Sequence, residues 1–180
     1  MIVVSRHLMD VNLVPAGAVV RINLAWEPSL EALRQHLSEM THHVLLDVPS
    51  RRTKPPRHEY NLRDLCEVAA NHENVRYVAV SNVEGPEDVI AYVVRLPRRV
   101  LVVPKIETAA GCKAFADVAA VLHEPKTAML DHEDLFRDLV SLGRPPDELY
   151  TGWIDPLAEF CRLHGVRLLR LAGTVFSDRL

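Results

Sequence analysis

The sequence predicts an α/β fold built around a parallel sheet. Three observations lead there. Short apolar runs rich in β-branched residues recur along the chain, among them VVRINL, HVLLDV, VRYVAVS, VLVVPK and VRLLRL. Segments with apolar residues at helical spacing separate them, so that strands return at intervals of roughly 25–35 residues. Polar side chains also collect at the C-terminal ends of the runs: Arg21 and Asn23, Asp47, Ser81, Lys105 and Glu107, Asp134, and Thr174. In a (β/α) TIM-type barrel that end of the sheet is where sites are built. A doubly wound open sheet fits the alternation as well, but it usually carries a glycine-rich first turn, and this chain has none.

The elements follow in order. Ile2–Val4 is a short apolar strand. Val19–Leu24 is the second, with Arg21 and Asn23 on one face and Val20, Ile22 and Leu24 on the other. Ser29–Met40 carries Leu30, Leu33, Leu37 and Met40 as a helical stripe. His43–Val48 is the third strand. Pro49–Tyr60, PSRRTKPPRHEY, is a cationic, proline-rich loop. Asn61 caps a helix bearing Leu62, Leu65, Val68 and Ala69 inward. Val75–Ser81 is a strand and Glu87–Leu96 a helix. Val100–Lys105 is a buried strand, Thr108–Ala119 a helix, and Thr127–Leu130 a short strand before an acidic turn. Asp147–His164 reads as the longest helix, stopped by Gly165. Val166–Leu171 is the last strand. The strands number about seven, so the predicted barrel is incomplete.

Composition narrows the function. With 180 residues, 48% hydrophobic and 25% charged, the chain is long enough for one domain with a real core. A net charge of −3 and the lack of a dense basic run argue against nucleic acid as a partner. No apolar run approaches the roughly 20 residues of a membrane span, and no signal segment opens the chain, so a cytoplasmic protein is expected. Cys66, Cys112 and Cys161 lie far apart and read as small buried hydrophobes. The nine histidines show no HExxH or similar ligand spacing.

The chemistry concentrates between Val100 and Leu135. Lys105 and Glu107 are two apart and project from one face of a strand end. Asp134 follows one βα unit later, within an acidic turn that also holds Asp131 and Glu133. A glutamate and an aspartate at the ends of adjacent parallel strands can share a hard cation such as Mg²⁺ or Mn²⁺. The neighbouring lysine can stabilise an anion or an enolate. A buried Lys105–Glu107 ion pair and a helix-capping role for the acids of the turn are the plainer alternatives. Arg51, Arg52, Lys54 and Arg57 suit a loop that holds an anion over the mouth of the sheet.

Six segments, in order from about residue 17 to 178, resemble the pyruvate/phosphoenolpyruvate barrel superfamily, which includes pyruvate kinase and the HpcH/HpaI aldolase and citrate lyase β-subunit group. They are VVRINLAW, VLLDVPSRRTK, YVAVSNVEGPEDV, VPKIETAAG, AMLDHEDL and LRLAGTVFSD. The resemblance implies a single barrel domain over residues 1–180, reduced in form, without lid or C-terminal domains. It implies metal binding by Glu107 and Asp134, with Lys105 stabilising the enolate. Arg21 would face a phosphate or carboxylate of the substrate, Asn23 and Asp47 would match part of a monovalent-cation site, Thr174 would lie near the enolate carbon, and Asp47 or a metal-bound water is the candidate base. Ser81 and Lys54 complete the expected substrate contacts. The chain departs from the kinases at Ala25, Lys54, His132 and Glu133, and Pro55–Tyr60 replaces their lid, so ADP-dependent phosphoryl transfer is not expected. The expectation is a Mg²⁺- or Mn²⁺-dependent lyase or aldolase acting on a 2-oxo acid, or on a phosphorylated or CoA-linked acid. The alternative is a non-catalytic barrel that binds a small anion or a protein. Either way the strand edges predict a homo-oligomer.

Overall fold

The computed structural model describes residues 3–6, 14–15, 17–50, 60–145 and 147–171. Seven parallel strands pair in strict sequence order: β1 (Val3–Ser5), β2 (Val19–Asn23), β3 (His43–Val48), β4 (Val75–Val80), β5 (Leu101–Ile106), β6 (Thr127–Asp131) and β7 (Arg167–Leu171). The helices between them are α1 (Leu30–Glu39), α2 (Leu62–Asn71), α3 (Glu87–Arg95), α4 (Ala109–Ala120), α5 (His132–Ser141) and α6 (Asp155–Leu163). Consecutive strands that remain parallel need a crossover between them, and helices supply most of these. Among the described residues no helix is long and apolar enough to cross a membrane.

The sheet has two apolar faces. Outward-pointing residues such as Ile22, Leu46, Val78, Val102 and Leu130 join the helices in one large core. Residues of the opposite parity, Val19, Leu45, Ala79, Val103 and Met129, form a second cluster, with Val3, Tyr77 and Leu169 packed against it. Every strand contributes to that cluster. Seven flat strands at about 4.8 Å spacing would spread it over nearly 30 Å, so the sheet curls to gather it. The result is a curled, half-barrel α/β sheet.

Local sequence explains most boundaries. Ser29, Asn61, Thr108 and Asp131 each stand at an N-cap and accept a backbone N–H from the first turn of α1, α2, α4 and α5. Thr108 therefore precedes its helix instead of opening it. Asn23 does the same for a short 3₁₀ turn, Leu24–Trp26, which ends β2 one residue earlier than expected.

The expected long helix over Asp147–His164 is two pieces. Leu149–Ile154 is a π-helix and Asp155–Leu163 is α6. Pro156 is the physical reason. It has no N–H to donate to the carbonyl four residues back, and its ring crowds that position. The widened π turn, with Gly152 at that position, relieves both. The longest described helix is α4, with 12 residues.

Candidate functional site

The parity that sends Val19, Leu45, Ala79, Val103 and Met129 inward also sends inward the next residues along each strand. Arg21 and Asn23 on β2, Asp47 on β3, Ser81 after β4, Lys105 and Glu107 on and after β5, and Asp131 on β6 line one cavity of about 470 Å³. The first turns of α5 add Asp134, Arg137 and Asp138. The alternation that makes an apolar floor therefore sets a polar ring directly above it.

The ring is one connected network. Lys105 Nζ lies 2.7 Å from Glu107 Oε1 and donates to Ser81 Oγ at 3.1 Å. Ser81 Oγ in turn donates to Asp47 Oδ1 at 3.4 Å, which lies 3.8 Å from Lys105 Nζ. Arg21 closes the row, donating to Asp47 Oδ2 from Nε at 2.8 Å and from a terminal nitrogen. Asp47, Lys105 and Glu107 are 2%, 5% and 3% exposed. Two buried acids thus alternate with two bases, as burial of charge demands. Burial alone would depress the Lys105 ammonium, but the Asp47 and Glu107 carboxylates hold its pKa above the ordinary lysine value. Burial pushes the Glu107 carboxyl up, and the attraction of Lys105 offsets this only in part.

The turn after β4 holds Glu107 from the other side. Asn82 has φ +53°, in the left-handed region that asparagine tolerates better than most residues. That turn aims the Asn82 N–H at Glu107 Oε2, 2.6 Å away, while its side chain donates to Ser50 O at 2.8 Å. The next amide, Val83, donates to Lys105 O at 3.2 Å. Gly111 on α4 lets the turn approach: a Cβ there would lie 2.4 Å from the Val83 carbonyl oxygen.

Asp131, expected as a lesser member of the acidic turn, is the residue that ends β6. Its Oδ1 caps α5 by accepting the Glu133 and Asp134 amides, each at 3.2 Å. Asp134 is in the first turn of α5 and not at the strand end. Oxygen atoms of Glu107, Asp131 and Asp134 all lie within 4.8 Å of one another. Carboxylate oxygens suit Mg²⁺ or Mn²⁺, and five carboxylates line the cavity against three cations, Arg21, Lys105 and Arg137. The donor set and the surplus of negative charge fit a divalent cation. Glu133 pairs with Arg137 at 2.7 Å and is not part of the triad.

The structure therefore brings together Arg21, Asn23, Asp47, Ser81, Lys105, Glu107 and Asp134. Lys54 and the other cations of its loop, and Thr174, lie outside the described residues. Sequence reasoning missed Asn82, Arg137 and Asp138. The signals were an asparagine at a strand-to-turn junction and an arginine at i+3 and i+4 from two acids. None of the three cysteines lines this cavity; Cys161 is buried as expected, whereas Cys66 and Cys112 are half-buried, and burial pushes the Cys112 thiol to about 12 and the Cys161 thiol to about 11.

No protein-family model matches the chain, and no curated protein matches it. Among solved structures it is similar to the crystal structure of RipC from Yersinia pestis, with a TM-score of 0.63 and 16% identity, over 89% of this chain and 72% of that one. At that identity the likeness shows the fold alone.

Proposed function

We propose that the chain is a divalent-metal-dependent lyase or aldolase acting on a 2-oxo acid, on a reduced barrel of the pyruvate/phosphoenolpyruvate type. One observation carries this reading: three carboxylates within 4.8 Å of one another stand beside a buried lysine, 2.7 Å from Glu107, at the C-terminal ends of a parallel sheet. Glu107, Asp131 and Asp134 would hold Mg²⁺ or Mn²⁺. Such a cation supplies Lewis-acid polarisation of a 2-oxo acid and favours its enolate. Lys105 contributes a fixed positive charge to the same developing anion. Asp47 is spent on holding Arg21 and Lys105, which suits orientation better than proton abstraction. Arg21 provides charge for the carboxylate end of the substrate, and Ser81 sets the height of the Lys105 ammonium.

Calorimetric titration of Mn²⁺ tests this, with wild type and with Glu107→Gln/Asp134→Asn. Binding by wild type that tightens with pyruvate or oxaloacetate and is lost in the double variant supports the lyase. A wild type that binds no Mn²⁺ rules out the metal site.

A second reading has its own support. Arg21–Asp47 and Lys105–Glu107 already neutralise each other, so the network is electrostatically complete without a ligand. A non-catalytic barrel fits that feature. It predicts no Mn²⁺ binding and no enolisation, read as loss of deuterium from labelled pyruvate.

A further inference from the structure

The three cations that line the cavity are not equivalent. Arg21 and Lys105 face acids whose side chains are only 3% exposed. Pulling either base away would strand a buried carboxylate, which is strongly unfavourable. Arg137 is different. It donates to Asp134 at 2.6 Å and to Glu133 at 2.7 Å. Arg137 is 51% exposed, and its two partners are 43% and 70% exposed. Exposed pairs of this kind shift an equilibrium by about fivefold at most. Arg137 is thus the one cavity cation, among the described residues, that can change partner cheaply.

One of its present partners is also one of the three gathered carboxylates. Asp134 cannot give its full charge both to Arg137 and to a divalent cation. Asp138, the other acid on this wall, is engaged elsewhere, accepting the Ala109 amide at 2.8 Å.

We propose that Arg137 is a specificity-determining residue that exchanges Asp134 for a second anionic group on the substrate. This rests on the metal reading above. Asp134 turns from Arg137 to the cation, and the guanidinium fork, matched in shape to carboxylate and phosphate, takes up the substrate's distal anion. Arg21 on β2 and Arg137 after β6 stand at opposite ends of the row of strand tips that lines the cavity. A substrate that reaches both carries two anionic groups. The preferred class is therefore a 2-oxo acid with a distal carboxylate, or an enol acid with a phosphate, and not a simple monocarboxylate.

The test compares wild type, Arg137→Gln and Arg137→Lys by calorimetry at low ionic strength. Mn²⁺ is titrated alone. Pyruvate, oxaloacetate (in the cold, where it decarboxylates slowly) and phosphoenolpyruvate are then titrated with Mn²⁺ saturating. Wild type should prefer a dianionic acid over pyruvate by about tenfold or more, the size of a charge-assisted hydrogen bond. Whichever of the two wins identifies carboxylate or phosphate as the distal group. Arg137→Gln should abolish the preference, with the loss falling chiefly on the acids that carry a second anionic group. It should also tighten Mn²⁺ alone by up to about fivefold, because Asp134 no longer has a competitor. Arg137→Lys should fall between. The opposite signs of the two effects are what a merely structural surface pair would not produce. If wild type binds Mn²⁺ but shows no dianion preference, or Arg137→Gln leaves that preference intact, the inference is overturned and the metal reading stands. If wild type binds no Mn²⁺, both fall.

Discussion

Lys105 lies between two carboxylates in a nearly dry setting, and that defines what its removal does. Lys105→Met leaves Glu107 buried without its base and should cost about 3–5 kcal/mol, the usual penalty for breaking a buried pair. Adding Glu107→Gln should recover much of that loss, because both charges are then gone; urea denaturation of the single and double variants reads the difference. Asn82 offers a finer measurement. Asn82→Gly keeps the amide that binds Glu107 and relaxes the positive φ, whereas Asn82→Ala keeps the amide and meets the left-handed penalty. Alanine should therefore be less stable than glycine by about 1 kcal/mol. Tyr60 gives the pH dependence. Its hydroxyl donates to Glu27 O at 2.6 Å, and burial, with the Glu27 carboxylate close by, raises its pKa to about 12. The folded state holds this proton more tightly than the unfolded chain, which releases it near 10. The contribution is complete below pH 10 and is lost as pH rises through about 12. Thermal melts between those values should show a steeper loss for wild type than for Tyr60→Phe.

The element that matters most to the site is the turn after β4, because it reaches Glu107, Lys105 and Ser50 at once. Its closeness to α4 depends on Gly111. Gly111→Ala places a methyl 2.4 Å from a backbone oxygen that has no free end to swing aside. The turn or the helix must shift, at about 1–3 kcal/mol for overpacking. Since α4 begins one residue after Thr108, beside Glu107, the same change should weaken Mn²⁺ binding. A variant that loses neither stability nor metal affinity would show that the turn is not the brace it resembles. The π turn before α6 is a different case. Helical spacing of Leu149, Trp153 and Leu157 was plain in the sequence, yet a period shows which face is buried and not whether the helix is continuous. Pro156 was the residue that decided it.

At the scale of the molecule, seven strands in sequence order leave β1 and β7 each with one paired neighbour among the described residues. Unpaired edges invite a second chain. Light scattering of the full chain should therefore show a dimer or larger; a clean monomer at micromolar concentration would rule this out. The polar ring and the apolar floor beneath it arise from one cause, the two-residue period of strands that all curl the same way. That cause was visible in segments: VVRINL shows Arg21 and Asn23 apart from Ile22, and VLVVPKIE shows Lys105 and Glu107 in step.

The parallel α/β alternation, the shared face of Arg21 and Asn23 and of Lys105 and Glu107, the strand-end places of Asp47 and Ser81, and the acidic turn were all legible in the sequence. Those follow from local periodicity, which neighbours along the chain decide. The folded chain alone shows that these strand ends face one cavity, that Asp131 joins Glu107 and Asp134, that the Asn82 amide braces Glu107, and that Arg137 lines the same cavity. Asp131 is 24 residues from Glu107 and Asn82 is 25 away, in opposite directions. Their meeting depends on the pairing order and curl of the sheet, which no local pattern encodes.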